Sequence, residues 1–118
     1  MTNFENACIY KITCKDLTIT DCYIGATTNF SSRVRRHKTN CVLEGGRLYN
    51  TKVYTFIREH GGFDNWDIKI VNKLSCENLT ELRKKERLAV DLFDATLNMI
   101  RPYITKAEKN ASALEYYH

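Results

Sequence analysis

Residues 7–37 read ACIYKITCKDLTITDCYIGATTNFSSRVRRH, and a change of hydrophobic period inside this stretch decides the fold. ACIYKIT (7–13) is dense in β-branched and aromatic side chains, which pack well on a pleated, half-buried surface. The polar KDLTITD that follows suits a connection, and CYIGA (22–26) is a second short run, so two antiparallel strands are predicted. Side chains alternate across a strand, which puts Cys8, Tyr10 and Ile12 on one face of the first and Tyr23 and Gly25 on one face of the second. The two tyrosines are thereby placed to meet across the hairpin. Beyond Ala26 the period becomes helical: Thr28 or Asn29 can cap a helix running to about Asn40, with Phe30, Val34 and Cys41 near one apolar stripe.

The remaining segments extend this pattern. EGG (44–46) ends the first helix, and NTKVYTFIREH (50–60) fits a second, with Val53, Phe56, Ile57 and His60 at helical spacing and Gly61 and Gly62 as the stop. In NWDIKIVNKL (65–74), Trp66, Ile68 and Ile70 alternate with Asp67 and Lys69, which predicts a third strand buried on one face. ENLTELRKKERLAVDLFDA (77–95) is the longest helical segment, with Leu79, Leu82, Ala89 or Val90, and Phe93 turned inward. TLNMIRPYIT (96–105) contains the single proline and reads as a loop or short edge segment. Thr105-Lys106-Ala107-Glu108 has the form of a capping box, which predicts a terminal helix over 106–116. The expected organisation is one domain over 1–102 and a helical tail over 103–118.

Composition bounds the function. The 118 residues suit one domain, and 43% apolar with 27% charged residues is a globular balance. No apolar run approaches the roughly 20 residues of a membrane helix, and MTNFENACIYK lacks the basic-then-apolar order of a signal peptide. An intracellular protein, cytoplasmic or nuclear, is expected, with no membrane partner. The five cysteines, at 8, 14, 22, 41 and 76, include no CxxC pair and are expected to be reduced thiols, buried or at an edge. Eighteen Lys and Arg against 14 Asp and Glu give a net charge of +4, concentrated in RVRRHK (33–38) and RKKER (83–87), which permits a polyanionic partner.

Several side chains suggest chemistry. Glu86 falls on the inward stripe of the last helix, where an unpaired carboxylate costs on the order of several kcal/mol. It is either an ion-paired or snorkelling residue with Arg83 or Lys85 alongside, or a metal ligand at the floor of a cleft. One carboxylate with waters and phosphate oxygens is an ordinary Mg²⁺ environment. Arg33 and His37 lie four apart and so share a helix face. Arg33 can hold phosphate bidentately and His37 can relay a proton, or both belong to a solvated basic face together with Arg35, Arg36 and Lys38. Tyr10 and Tyr23 act as bases only where cations such as Arg33 or a metal at Glu86 favour phenolate. Gly25 leaves room on the tyrosine face for a backbone or a phosphate, and Asn98 reads as a turn residue.

Taken jointly, IY (9–10), YIG (23–25), NFSSRVRRH (29–37), ERLAVDLF (86–93) and LN (97–98) resemble the GIY-YIG nuclease family, in order and approximate spacing from residue 8 to about 100. The resemblance implies a small α/β (α+β) domain with a central three-stranded antiparallel sheet flanked by helices. It implies that Tyr10 and Tyr23 are the motif tyrosines, with Tyr10 the general-base candidate. Arg33 then contacts the scissile phosphate, His37 stands four residues later, Glu86 is the single metal ligand and Asn98 supports the site. Cys8 stands where the family's first glycine would be, and Ala26 where some repair nucleases carry lysine. The tail LNMIRPYITKAEK resembles that of small stand-alone members from large DNA viruses and some eukaryotes, which suggests a mobile or viral origin.

The resemblance therefore implies an endonuclease that hydrolyses DNA phosphodiester bonds with Mg²⁺ or Mn²⁺. Gly25, Arg35, Arg36 and Lys38 are expected to help bind DNA, mainly at phosphates and with strong salt dependence. One site cuts one strand, so a double-strand break requires two nicks or a homodimer. The alternative is a non-catalytic nucleic-acid-binding or targeting module with the same fold, and a third reading is a basic structural adaptor.

Overall fold

The computed structural model describes residues 4–98. The terminal helix expected over 106–116 and the expected domain boundary after residue 102 lie outside them. Strand β1 (Ala7–Cys14) pairs antiparallel with β2 (Cys22–Thr27), and the polar linker between them is the connection its composition predicts. Tyr10 faces Gly25 across the ladder and Ile12 faces Tyr23. The two tyrosines are thus diagonal neighbours, with ring centroids 6.4 Å apart, and not a directly opposed pair. Strand β3 (Trp66–Leu74) pairs antiparallel with the other side of β1, giving the sheet order β2-β1-β3. The alternation of β3 breaks at Val71, because Ile9 pairs with Asn72 and Tyr10 with Ile70, so Val71 is the extra residue of a bulge.

Helix α1 (Phe30–Val42) starts at Asn29, whose side chain accepts the Ser32 N–H at 3.1 Å. The Thr27 hydroxyl in turn accepts the Asn29 N–H at 3.0 Å, so the strand end holds the cap in place. Helix α2 is shorter than its pattern, Lys52–Glu59, and Gly61 and Gly62 follow it with φ of 98° and 82°, a conformation that favours glycine. Helix α3 (Leu79–Leu92) is capped by Asn78, which accepts the Glu81 N–H at 2.9 Å.

Strands β1 and β2 are covered on both faces, whereas β3 is largely exposed from Lys69 to Lys73, and Ile70, expected on its buried face, is 37% exposed. Helix α3 buries Leu82 and Val90 against Ile9, Ile24 and Ala26, while α1 and α2 bury Cys41, Val53, Tyr54 and Ile57 against Tyr10, Ile12 and Trp66. Leu79, expected on the inward stripe, is 51% exposed because it stands at the mouth of a cleft and not over the sheet. All five cysteines are free and buried. Among the described residues, no helix is long and apolar enough to cross a membrane.

Candidate active site

Strand β2 is a sheet edge, so its outward peptide groups at alternate residues need partners from elsewhere. The Cys22 carbonyl accepts the Leu97 N–H at 3.0 Å. At Ile24, the Asn98 side chain replaces a neighbouring strand: Oδ1 accepts the Ile24 N–H at 2.9 Å and Nδ2 donates to the Ile24 carbonyl at 2.7 Å. At Ala26, the carbonyl accepts from Arg33 Nη1 at 3.5 Å, and the N–H lies near enough to the Glu86 carboxylate to favour its charged form. Three elements distant in sequence therefore converge on one free strand edge.

Glu86 reaches that edge from α3 and is only 4% exposed. Its second partner is Arg83 one turn earlier, with Nη1 2.9 Å from Oε1. Burial raises the Glu86 pKa above the ordinary carboxylate range, and the Arg83 guanidinium opposes that shift. Arg83 and Arg33 line a cleft of about 180 Å³ with Ala26, Thr27, Leu79 and Leu82; Glu86 is not part of its wall and meets it through Arg83.

On the other face of the sheet the tyrosines and histidine form a neutral chain. The Tyr10 hydroxyl lies 2.6 Å from His37 Nε2, and His37 Nδ1 lies 2.8 Å from the Tyr54 hydroxyl. Arg33 lies close enough to Tyr10 to lower its pKa, and the Tyr10 hydroxyl can donate to Nε2 while Nδ1–H donates to Tyr54. His37, on a helix face readable from sequence as solvated, is buried, and its burial together with Arg33 lowers its pKa to about 4. Burial raises the pKa of Tyr10, and the nearby Arg33 does not offset it; Tyr23 is pushed up to about 12 by burial and by Glu86. In the metal-free protein both phenols are therefore protonated at neutral pH, and Arg33 alone does not favour phenolate.

Gly25 does not leave open space for a phosphate. A methyl group there would overlap Cζ and Oη of Tyr10, so the missing side chain makes room for the phenol itself. Tyr23 is partly exposed at the rim, its ring centroid 5.5 Å from that of His37. Arg35, Arg36 and Lys38 lie on the exposed side of α1, apart from the hydrogen-bonded cluster. Tyr54 was not apparent as a site residue, although its i,i+3 spacing to the buried Ile57 is a signal that places it inward.

Among the described residues no group of three His, Cys, Asp or Glu side chains is positioned to hold a metal. A structural zinc, which needs four nitrogen or sulfur ligands, does not fit. Among the described residues Glu86 is the one buried carboxylate, and it reaches the cleft through Arg83; one such ligand fits a hard ion that keeps its waters and takes phosphate oxygens, as Mg²⁺ and Mn²⁺ do.

A buried carboxylate, an arginine and a tyrosine–histidine pair thus meet at the edge of a small antiparallel sheet in an α+β domain. The chain belongs to the GIY-YIG family: the GIY-YIG catalytic domain matches residues 6–98, which span every element described above from β1 onward. This is a family of nucleases. No match was found among curated proteins or among solved structures.

Proposed function

We propose that the protein is a divalent-metal-dependent endonuclease that hydrolyses phosphodiester bonds of DNA. The observation that supports this reading best is the meeting of Arg33, Glu86 and the Tyr10–His37 pair around Ala26, beside a cleft. Arg33 holds the scissile phosphate through its planar fork of donors. Glu86 would hold Mg²⁺ or Mn²⁺, which when bound supplies the positive charge that offsets charge building up on the phosphate and the leaving oxygen.

The Tyr10 side chain carries no exposed surface, and Arg33 is among the charged groups near it. A turn of Arg33 toward a phosphate gives water access to the hydroxyl. Tyr10 then takes the proton of the attacking water at its oxygen while passing its own to His37 Nε2, and so need not exist as a free phenolate. Tyr54 keeps Nδ1 occupied and thereby holds the ring in the tautomer that accepts. Tyr23 at the rim helps position the water, and Asn98 fixes the edge strand that carries it. Arg35, Arg36 and Lys38 attract DNA backbone without reading sequence, with an affinity that falls steeply as salt rises. A double-strand break follows from two sequential nicks or from two copies acting together.

The test is conversion of supercoiled plasmid to nicked circles. Nicking is expected with Mg²⁺ or Mn²⁺, none with EDTA, and a large loss in Glu86→Ala and in Arg33→Ala. Metal-dependent nicking that survives Glu86→Ala overturns the assignment. A wild type that binds DNA but cuts no duplex, branched or single-stranded substrate is a binding module instead.

A further inference from the structure

We propose that Arg83 is a built-in competitor of the metal: in the free protein it occupies the ion's place on Glu86, and once displaced it serves as a second phosphate-binding arginine. The inference rests on the reading of Glu86 as the metal ligand.

The two partners of Glu86 differ in kind. The Ala26 N–H is fixed by the sheet, but Arg83 is held only by its own rotamer, at 2.9 Å from Oε1. The side chains also differ in exposure, 5% for Glu86 and 42% for Arg83, so the guanidinium lies between the buried carboxylate and solvent. Arg83 and Arg33 line the cleft and Glu86 does not, so an ion coming from the cleft to Oε1 meets Arg83 first. A guanidinium and a divalent cation on the same oxygen repel each other strongly in a partly dry site. Loading the ion therefore requires Arg83 to leave. An arginine that is half exposed on a cleft wall can turn toward a phosphate without unpacking the core, and its planar fork suits that ligand. Displacement thus turns a masked cleft into one with two arginines directed at phosphate.

Two measurements test this, both with the full chain and neither requiring turnover. In the first, free protein is titrated with Mn²⁺ alone and the loss of the aqueous Mn²⁺ resonance is followed. Arg83→Gln is expected to bind about fivefold or more tightly than wild type, the lower range of ordinary coupling between sites. Arg83→Lys is expected between the two, and serves in its place if Arg83→Gln fails to fold by thermal unfolding. Glu86→Gln is expected to lose the site. Equal Mn²⁺ affinity in wild type and Arg83→Gln, with the site still lost in Glu86→Gln, overturns the competitor role and leaves the metal ligand standing. Unchanged binding in Glu86→Gln, or no binding even in Arg83→Gln, overturns the reading of Glu86 itself.

The second is a double-mutant cycle on the affinity for a short duplex in EDTA, where nothing is cut. Removing Arg83 is expected to weaken binding severalfold in the Glu86→Gln background, where it is released, and much less in the wild-type background, where it is tied. Equal losses in both backgrounds mean that Arg83 is an ordinary surface charge and overturn the hand-over to phosphate.

Discussion

The two polar clusters on either side of β2 are built on opposite principles. On the α1 and α2 side, Tyr10, His37 and Tyr54 are buried as neutral groups whose hydrogen bonds satisfy one another. On the α3 side, Glu86 is buried beside Arg83 and Arg33, and its charge depends on partners of opposite sign. A buried neutral chain loses its proton geometry if any member moves, whereas a buried charge can exchange one cation for another. The first cluster suits holding and passing a proton; the second suits loading and unloading.

The largest effect that would break this contrast is at Gly25. Gly25→Ala pushes a methyl group into the Tyr10 ring from the facing strand, and no flexible side-chain end is available to give way. Overpacking of this kind costs about 1–3 kcal/mol or more. Nicking is expected to collapse with it, because the Tyr10 hydroxyl leaves His37 Nε2. Gly45→Ala is the control: its φ of 86° makes alanine strained, but no atom lies within 4 Å, so a small loss of stability with intact nicking is expected. Urea midpoints and plasmid nicking measure both. Tyr10 geometry that survives Gly25→Ala would mean the neutral chain is not tightly packed.

Acid should act on the two clusters with opposite signs. The folded-state pKa of His37 is lowered from 6.5 to about 4, so between these values the unfolded chain binds a proton that the folded chain does not. Stability is therefore lost as pH falls from about 6.5 to about 4, by up to roughly 3 kcal/mol at 1.4 kcal/mol per unit. For Glu86 the folded pKa is raised, so just above its ordinary value of 4.5 the folded chain binds more protons, and lowering pH there stabilises. His37→Gln is expected to flatten the decline of the urea midpoint between pH 7 and 5. A decline of unchanged slope in His37→Gln would assign the acid sensitivity elsewhere.

The elements were legible because most are runs whose period matches their burial; in β3 the alternation marks the strand, but of its expected inward residues only Trp66 is buried and Ile70 is exposed. Residues 7–13, 22–26 and 65–74 form the three strands to within a few residues, and the inward position of Glu86 follows from its spacing to Leu82 and Val90. What sequence alone does not carry is register and rotamer. That Tyr10 lies on Gly25 follows only once the hairpin's pairing is known, and the bulge at Val71 shows only in the pairing of β3 with β1. Arg83 is one of several bases in RKKER, and its choice by Glu86 depends on a side-chain torsion. Tyr54 belongs to an α2 stripe that sequence reads through Phe56, and its role appears only when α1 brings His37 to it. The protonation of the phenols needed the depth of burial, which opposes the effect of Arg33 seen in the sequence.

The smallest of these effects discriminates best between the clusters. Tyr54→Phe removes one hydroxyl, leaves the ring that packs beside His37, and touches nothing on the α3 side. The His37 Nδ1 proton then loses its acceptor, at a cost of about 1 kcal/mol if the imidazole keeps its tautomer. If the tautomer switches, Nε2 carries the proton and can no longer accept from Tyr10, so the relay stalls while every charged group stays in place. A fall in nicking rate with unchanged Mn²⁺ affinity and unchanged duplex affinity is therefore expected, and ¹⁵N chemical shifts of the His37 ring report which nitrogen is protonated. A parallel change in Mn²⁺ affinity would show that the two sides of β2 are one coupled network.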